Sequence, residues 1–294
     1  MERLEKRALR ETLICDGAMG TFLQAMGLLP GECPEKWCLD RADNVKSIHQ
    51  AYRDAGSHIV ETNTFGGSAY KLKHYGLENE VESINRAGAA LGREVAGTSQ
   101  YVLGSMGPTG AFMEPYGDET EESFYAAFKA QAEALERGGA DAVIIETMMV
   151  IEECCVAVRA ARENTNLTVI ASFTFDPQPD GGFASMMGVR PDDFAKAALA
   201  AGAHVVGSNC GLGPDNMIEI VKILRASVPA DVPVLAMPNA GMPTVENGVT
   251  LFKETPAEMG AKVIKLKAAG ANIIGGCCGT TPEHIRAMAK AAGE

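Results

Sequence analysis

The sequence predicts an α/β protein folded as a (β/α)8 (TIM) barrel, and three observations lead there. Eight short apolar runs recur along the 294 residues, each ending in small, polar or glycine-rich residues. Their starts lie roughly 30 to 45 residues apart, about one strand plus one helix plus loops. The segments between them carry apolar residues at helical spacing and tend to close on Ala-Gly-Ala or a near variant.

The runs are, in order, LICDGAMGT from Leu13, HIVETNTF from His58, YVLGSMGP from Tyr101 and AVIIETM from Ala142. TVIASFTF from Thr168, HVVGSNCG from His204, VPVLAMPNAG from Val232 and NIIGGCCG from Asn272 complete the set. Between them, FYAAFKAQAEALERGGA reads as a helix that stops at Gly138-Gly139, as a helix C-terminus should. PDDFAKAALAAGA and PAEMGAKVIKLKAAGA each open on proline and acidic residues and close at Ala-Gly-Ala; AYRDAGSH shares that ending. Eight such units in under 300 residues favour a barrel. An open doubly wound sheet ranks second, because DGAMG lacks the G-x-G-x-x-G pattern of its nucleotide-binding turn. With no linker and no low-complexity stretch, residues 1–294 read as a single domain.

Composition narrows the function classes. The chain is 46% hydrophobic and 22% charged, ordinary for a soluble globular enzyme. A net charge of −12 argues against nucleic acid or an anionic membrane surface as partner. No apolar run reaches membrane-span length and the charged N-terminus has no signal-peptide core, so a cytoplasmic location is expected. In a reducing compartment the eight cysteines read as thiols, metal ligands or nucleophiles.

Barrel active sites lie at the C-terminal ends of the strands. Those ends offer Asp16, Glu61-Thr62-Asn63, Ser105, Glu146, Thr174, Asn209-Cys210, Asn239 and Cys277-Cys278. Three cysteines thus gather on one rim, whereas His58 and His204 begin their strands at the opposite end. Thiol-rich, histidine-poor rims suit zinc, copper(I) or iron–sulfur. Three thiolates around zinc leave a fourth tetrahedral position, where an incoming thiol would lose its proton and stay electron-rich. Adjacent cysteines on a regular strand point apart; Gly275-Gly276 frees the backbone so that both sulfurs can turn to one metal. Core thiols or a vicinal disulfide are the competing readings. Cys154-Cys155 reads as helix packing, Cys33 and Cys38 as structural, and Cys15 as buried. The methionines Met106, Met113, Met186, Met187 and Met242 cluster after strands three, five and seven and read first as gap-fillers.

At these same residues the sequence resembles the homocysteine S-methyltransferase family. GGCCGTTPEHI and SNCGLGP are similar to that family's zinc-binding segments, and DGAMGT, ETNTFGG, GSMGPTG, IIETM and MPNAGMP follow in the family's order. The resemblance spans about Leu13 to Met288. It implies that Cys210, Cys277 and Cys278 are zinc ligands, and that zinc-bound homocysteine sulfur takes a methyl group to give methionine. It further implies that Asp16 and Glu146 hold the substrate ammonium and that backbone around Gly17 and Ala18 meets its carboxylate. Many members carry Gly-Gly after that aspartate; Ala18 departs, with its N–H still expected to be available. Asn209 is assigned to substrate or loop orientation.

PEKWCLDR, VETNTFGGSAYKL and GPTGAFMEP look like the homocysteine-binding module of the cobalamin-dependent methionine synthase family. That likeness implies a methyl-corrinoid (methylcobalamin) donor, carried by a partner corrinoid protein if the chain stands alone, or by further modules if it is excised. Betaine or S-methylmethionine are the alternative donors. Betaine would need an aromatic cage, and Trp37, Tyr70, Tyr75 and Tyr116 are not grouped in sequence. A barrel lyase or hydrolase, and a zinc-storage or redox-sensing module without methyl transfer, are the non-methyltransferase readings.

Overall fold

The computed structural model describes residues 1–179, 181–246 and 249–293. Its frame is an eight-stranded parallel sheet. The strands are Leu13–Ile14, Ile59–Glu61, Tyr101–Met106, Ala142–Met148, Thr168–Phe173, Val205–Asn209, Val234–Met237 and Ile273–Ile274. Numbered one to eight along the chain, their order across the sheet is 1-8-7-6-5-4-3-2, and every ladder is parallel. All eight predicted runs are therefore strands, and the α/β barrel is the observed architecture.

Side chains complete the ring between strands one and two. The His58 N–H donates to Ile14 O at 2.7 Å, and the Ile14 N–H donates back to His58 Nδ1 at 3.0 Å. At the other end of this seam the Glu61 N–H donates to Asp16 Oδ2 at 2.8 Å. Closure removes the exposed edges that an open sheet would leave.

The His58 arrangement repeats. Just before strands four, six and eight, Asp141, His204 and Asn272 accept the N–H of Val102, Val169 and Val234 at 2.8, 2.9 and 2.9 Å. Each returns its own N–H to the same residue's carbonyl. This explains the recurring helix ending. The glycines Gly56, Gly139, Gly202 and Gly270 have φ of 99°, 98°, 106° and 105°, a region that favours glycine. The polar residue two positions later then lands where it caps the neighbouring strand.

The predicted helices appear at Glu121–Arg137, Pro191–Ala201 and Pro256–Ala269. Thr120 and Thr255 form capping boxes with Ser123 and Glu258, satisfying otherwise orphaned N–H groups. Strand residues that point outward pack against the helices, while Leu13, Cys15, Ile59, Leu103, Ile144, Ile170, Leu235 and Ile273 fill the barrel interior. The helix Leu4–Ala8 plugs the lower end: Leu4 and Ala8 join that interior cluster, and Thr168 Oγ1 donates to Glu5 at 2.5 Å. The cavity is left at the upper end. Two hairpins, pairing Asp176–Pro177 with Phe183–Ala184 and Thr244–Glu246 with Val249–Leu251, rise from the loops after strands five and seven. No described helix is long and apolar enough to cross a membrane.

Candidate metal and substrate site

Strand eight ends at Ile274, and the chain then enters a turn in which the Cys277 carbonyl accepts the Thr280 N–H at 3.1 Å. Gly279, the third residue of that turn, has φ +81°, the conformation a type II turn assigns to glycine. Cys277 and Cys278 therefore lie on a turn and not on a pleat, which lets both sulfurs face one side. Cys210, which follows strand six, has φ +60° and donates its N–H to Met237 O at 3.1 Å. Positive φ on a non-glycine residue is strained, and here it aims the sulfur across the rim.

The three Sγ atoms lie within 4.8 Å of one another, with Cys210 and Cys278 4.0 Å apart. Tetrahedral zinc with bonds of about 2.3 Å sets its sulfur ligands about 3.8 Å apart, so the cluster fits that ion. All eight cysteines are free thiols. Contacts from the Cys277 and Cys278 thiols, with help from the Gly211 backbone and the Asn239 side chain, hold Cys210 down to about 3. The same contacts push Cys277 up.

The cysteines share one cavity with carboxylates from strands two and four. It measures about 270 Å³, and its walls include Gly17, Ala18, Glu61, Glu146 and the three cysteines. Both Glu146 oxygens are engaged. Ser105 Oγ donates to Oε1; Asn209 Nδ2 donates to Oε2 at 2.7 Å. Asn209 is itself fixed, its Oδ1 accepting from the Thr147 N–H at 2.9 Å and Ser172 Oγ at 2.6 Å. Thr147, the residue after Glu146, has φ +56°, a genuine outlier for a β-branched residue. Asn209 thus ties the acidic wall to the chain segment that carries Cys210.

Asp16 is brought to the same end but stands behind the wall. It is 1% exposed and, besides the Glu61 N–H, accepts from Cys15 Sγ at 3.5 Å. Burial pushes its carboxyl up to about 8. The Ala18 N–H, expected to be open to a substrate carboxylate, donates instead to Thr280 Oγ1 at 3.0 Å, and the Ala18 carbonyl accepts the Tyr52 hydroxyl at 2.8 Å. A Cβ on Gly17 would lie 2.7 Å from Thr280 Oγ1, so only glycine allows this approach.

The remaining rim residues have local work. Thr62 Oγ1 accepts the Ser105 N–H at 3.0 Å, and Asn63 Nδ2 donates to Pro34 O at 2.7 Å. Thr174 Oγ1 donates to Asn209 O at 3.0 Å. Cys15, Cys33, Cys38 and Cys154 are buried, with Cys33 against Glu35 and Cys38 against Asn63 O. Met106 fills the core as expected, but Met186, Met187 and Met242 are exposed at the mouth. Sequence reasoning gave no role to Glu35 or Phe65. The first pins two mouth loops by accepting the Gly66 N–H at 2.7 Å; the second lines the cavity. Gly66 and Gly107 signal both, since a Cβ at either would strike Glu35 or the Phe65 ring.

The profile of the family described as Homocysteine S-methyltransferase matches residues 13–292. The chain belongs to this family. Among curated homologues, the methionine synthases of Mycobacterium tuberculosis (strain ATCC 25618 / H37Rv) and Mycobacterium leprae (strain TN) are each 33% identical over 96% and 98% of the chain. The chain spans 25% of the length of each. Among solved structures, the metallated form of the homocysteine methyltransferase MmuM from Escherichia coli superposes with TM-score 0.79. It is 23% identical, with 97% of this chain and 99% of that chain covered. A methyltransferase from Methanosarcina mazei gives TM-score 0.63 at 11% identity, over 97% and 96% of the two chains. These structural likenesses speak to the fold. In a homocysteine S-methyltransferase family member, a three-sulfur cluster facing an acidic wall has an evident reading.

Proposed function

We propose that this chain is a zinc-dependent homocysteine S-methyltransferase that forms methionine, with residues 1–294 working as one homocysteine-binding barrel domain. The observation that carries this reading is the meeting of Cys210, Cys277 and Cys278 with Glu146 on a single cavity. The three cysteines would hold the ion. Zinc bound there would favour ionisation of an incoming thiol, while three thiolate ligands keep that thiol's sulfur electron-rich.

The rest of the work falls to the chain's own groups. Glu146, held by Ser105 and Asn209, presents a fixed negative charge to the substrate ammonium. Asp16 supports that wall from behind, and the Gly17 side of the Gly17–Ala18 segment would meet the substrate carboxylate, the Ala18 N–H being held by Thr280. Anchoring both ends of the amino acid directs its sulfur toward the cysteines, and alignment of this kind lowers the entropic part of the barrier. In the transfer, a sulfur–methyl bond forms as the donor–methyl bond breaks, and the thiol proton leaves to solvent.

For the donor, a small molecule such as S-methylmethionine or betaine is the better-supported reading. A solved homocysteine methyltransferase matches this barrel over 99% of its own length, and a cavity of about 270 Å³ is on the scale of small metabolites. A methyl-corrinoid on a partner protein is the second reading, carried by the 33% identity to two methionine synthases. Eight free thiols suit a reducing, cytoplasmic setting. The test is methionine formation from homocysteine by zinc-loaded protein, with S-methylmethionine, betaine, methylcobalamin and methyltetrahydrofolate offered in turn. Turnover with one of the first two supports the leading reading, methylcobalamin alone supports the second, and none with any donor contradicts methyl transfer.

A further inference from the structure

Three carboxylates meet at the top of this barrel, and the geometry gives them different work. The Asp16 carboxylate is committed to the seam, where it accepts the Glu61 N–H and the Cys15 thiol. The Glu146 oxygens are claimed by Ser105 and Asn209. Glu61 differs from both. Ile59 points into the barrel interior, so Glu61, two residues on, points the same way one layer higher, into the cavity it lines. Glu146 enters by the same parity from Ile144. The hydroxyl beside Glu61 is that of Ser105, which already donates to Glu146. Glu61 and Glu146 also hydrogen-bond each other, one proton between two carboxylates on the same cavity, and a cation bearing several N–H bonds would satisfy both at once.

We infer that Glu61 is a substrate-binding residue, which with Glu146 clasps the α-ammonium of the amino-acid substrate, while Asp16 is the positioning residue that fixes Glu61 through its backbone. This rests on the homocysteine reading above and deepens it by assigning the group that recognises the amino end. Burial and the nearby Glu146 push the Glu61 carboxyl well up, as expected of a pair that a positive charge would relieve.

The experiment removes the ammonium from the ligand and the carboxylate from the protein in turn. Zinc-loaded wild type, Glu61→Gln, Glu61→Asp and Asp16→Asn are titrated calorimetrically with homocysteine and with 4-mercaptobutanoate, which keeps the thiol and carboxylate but lacks the amino group. Zinc content and melting temperature are recorded for each. The wild type should prefer homocysteine by about 100-fold, in keeping with a desolvated charge-assisted contact. Glu61→Gln should cut that preference by about 10-fold or more through weaker homocysteine binding alone, with zinc retained. Glu61→Asp should fall between, which keeps the test open if the glutamine variant folds poorly. Asp16→Asn should weaken both ligands together and lower the melting temperature.

An unchanged preference in both Glu61 variants, or equal loss of both ligands, would overturn the inference and leave Glu61 a structural residue. If the zinc-loaded wild type binds neither thiol, the homocysteine reading fails as well. If it binds homocysteine tightly and only the Glu61 effect is missing, that reading stands and the inference alone is lost.

Discussion

Cys277 and Cys278 occupy successive positions of a turn, and that is what makes them usable together. A Cβ at position 279 would come within 2.3 Å of the Phe252 ring while φ stays at +81°. The paired glycines and cysteines made this site legible in sequence. Asn209 was only half legible: its place beside Cys210 is plain, but its hold on Glu146 crosses from strand six to strand four. No single-strand pattern reveals such a contact. Replacing Cys277 by Ser should leave a site with two thiolates. Zinc per chain, measured by a colorimetric chelator after gel filtration, should drop from about one to well below that, with methionine formation lost. Full zinc and activity in the variant would rule out the trio. Asn209→Ala should release the Glu146 rotamer and raise the homocysteine KM by about 10- to 100-fold, with a smaller effect on kcat, because the residue acts through Glu146. Steady-state kinetics at saturating zinc would show the split, and an equal loss in both constants would mean a different role.

At the scale of elements, the helix endings show how the sequence repeats a physical device. Gly56, Gly139, Gly202 and Gly270, all at positive φ, are each followed two residues later by His, Asp or Asn, which caps the strand beside it. The repeat was visible in the sequence, but its meaning was not, because the capped N–H lies one strand away. The two hairpins escaped notice because their strands are only two or three residues long. Histidine burial has a consequence for stability. His204 is held down to about 4 by burial, and His58 is also lowered. His49, on helix Ala42–Asp54, is fully buried with neither ring nitrogen partnered among the described residues, and burial lowers it to about 4 as well. A folded-state value below the unfolded one means that the unfolded chain binds more protons between about pH 6.5 and 4. The stabilisation is therefore complete above about pH 6.5 and lost as pH falls toward 4, with His49 alone worth about 3 kcal/mol across that window. Urea unfolding at pH 7 and pH 5 should show the drop, and His49→Phe should flatten it. An equally steep limb in the variant would place the acid sensitivity elsewhere.

Across the whole molecule, the barrel separates stability from chemistry. The lower end is plugged by helix Leu4–Ala8 and capped by side chains, while the upper end carries the strained residues Thr147 and Cys210 around one cavity. The eight strands and their order were legible because each unit repeats the same apolar run and helix. The contact of Asp16 with the Glu61 N–H was not, since it depends on how strands one and two meet without a backbone ladder. Around the mouth, Phe65, Phe112, Met186, Met187 and Met242 are exposed, an apolar rim that reads less as gap-filling than the sequence suggested. On the proposed reading, three sulfurs of this chain hold one zinc and leave a position for the substrate's sulfur. X-ray absorption at the zinc edge tests it most directly. Zinc-loaded protein should show three sulfur neighbours at about 2.3 Å and one lighter atom, and adding homocysteine should replace that atom with a fourth sulfur. A sulfur count that stays the same when homocysteine is bound would rule out this zinc–thiolate arrangement.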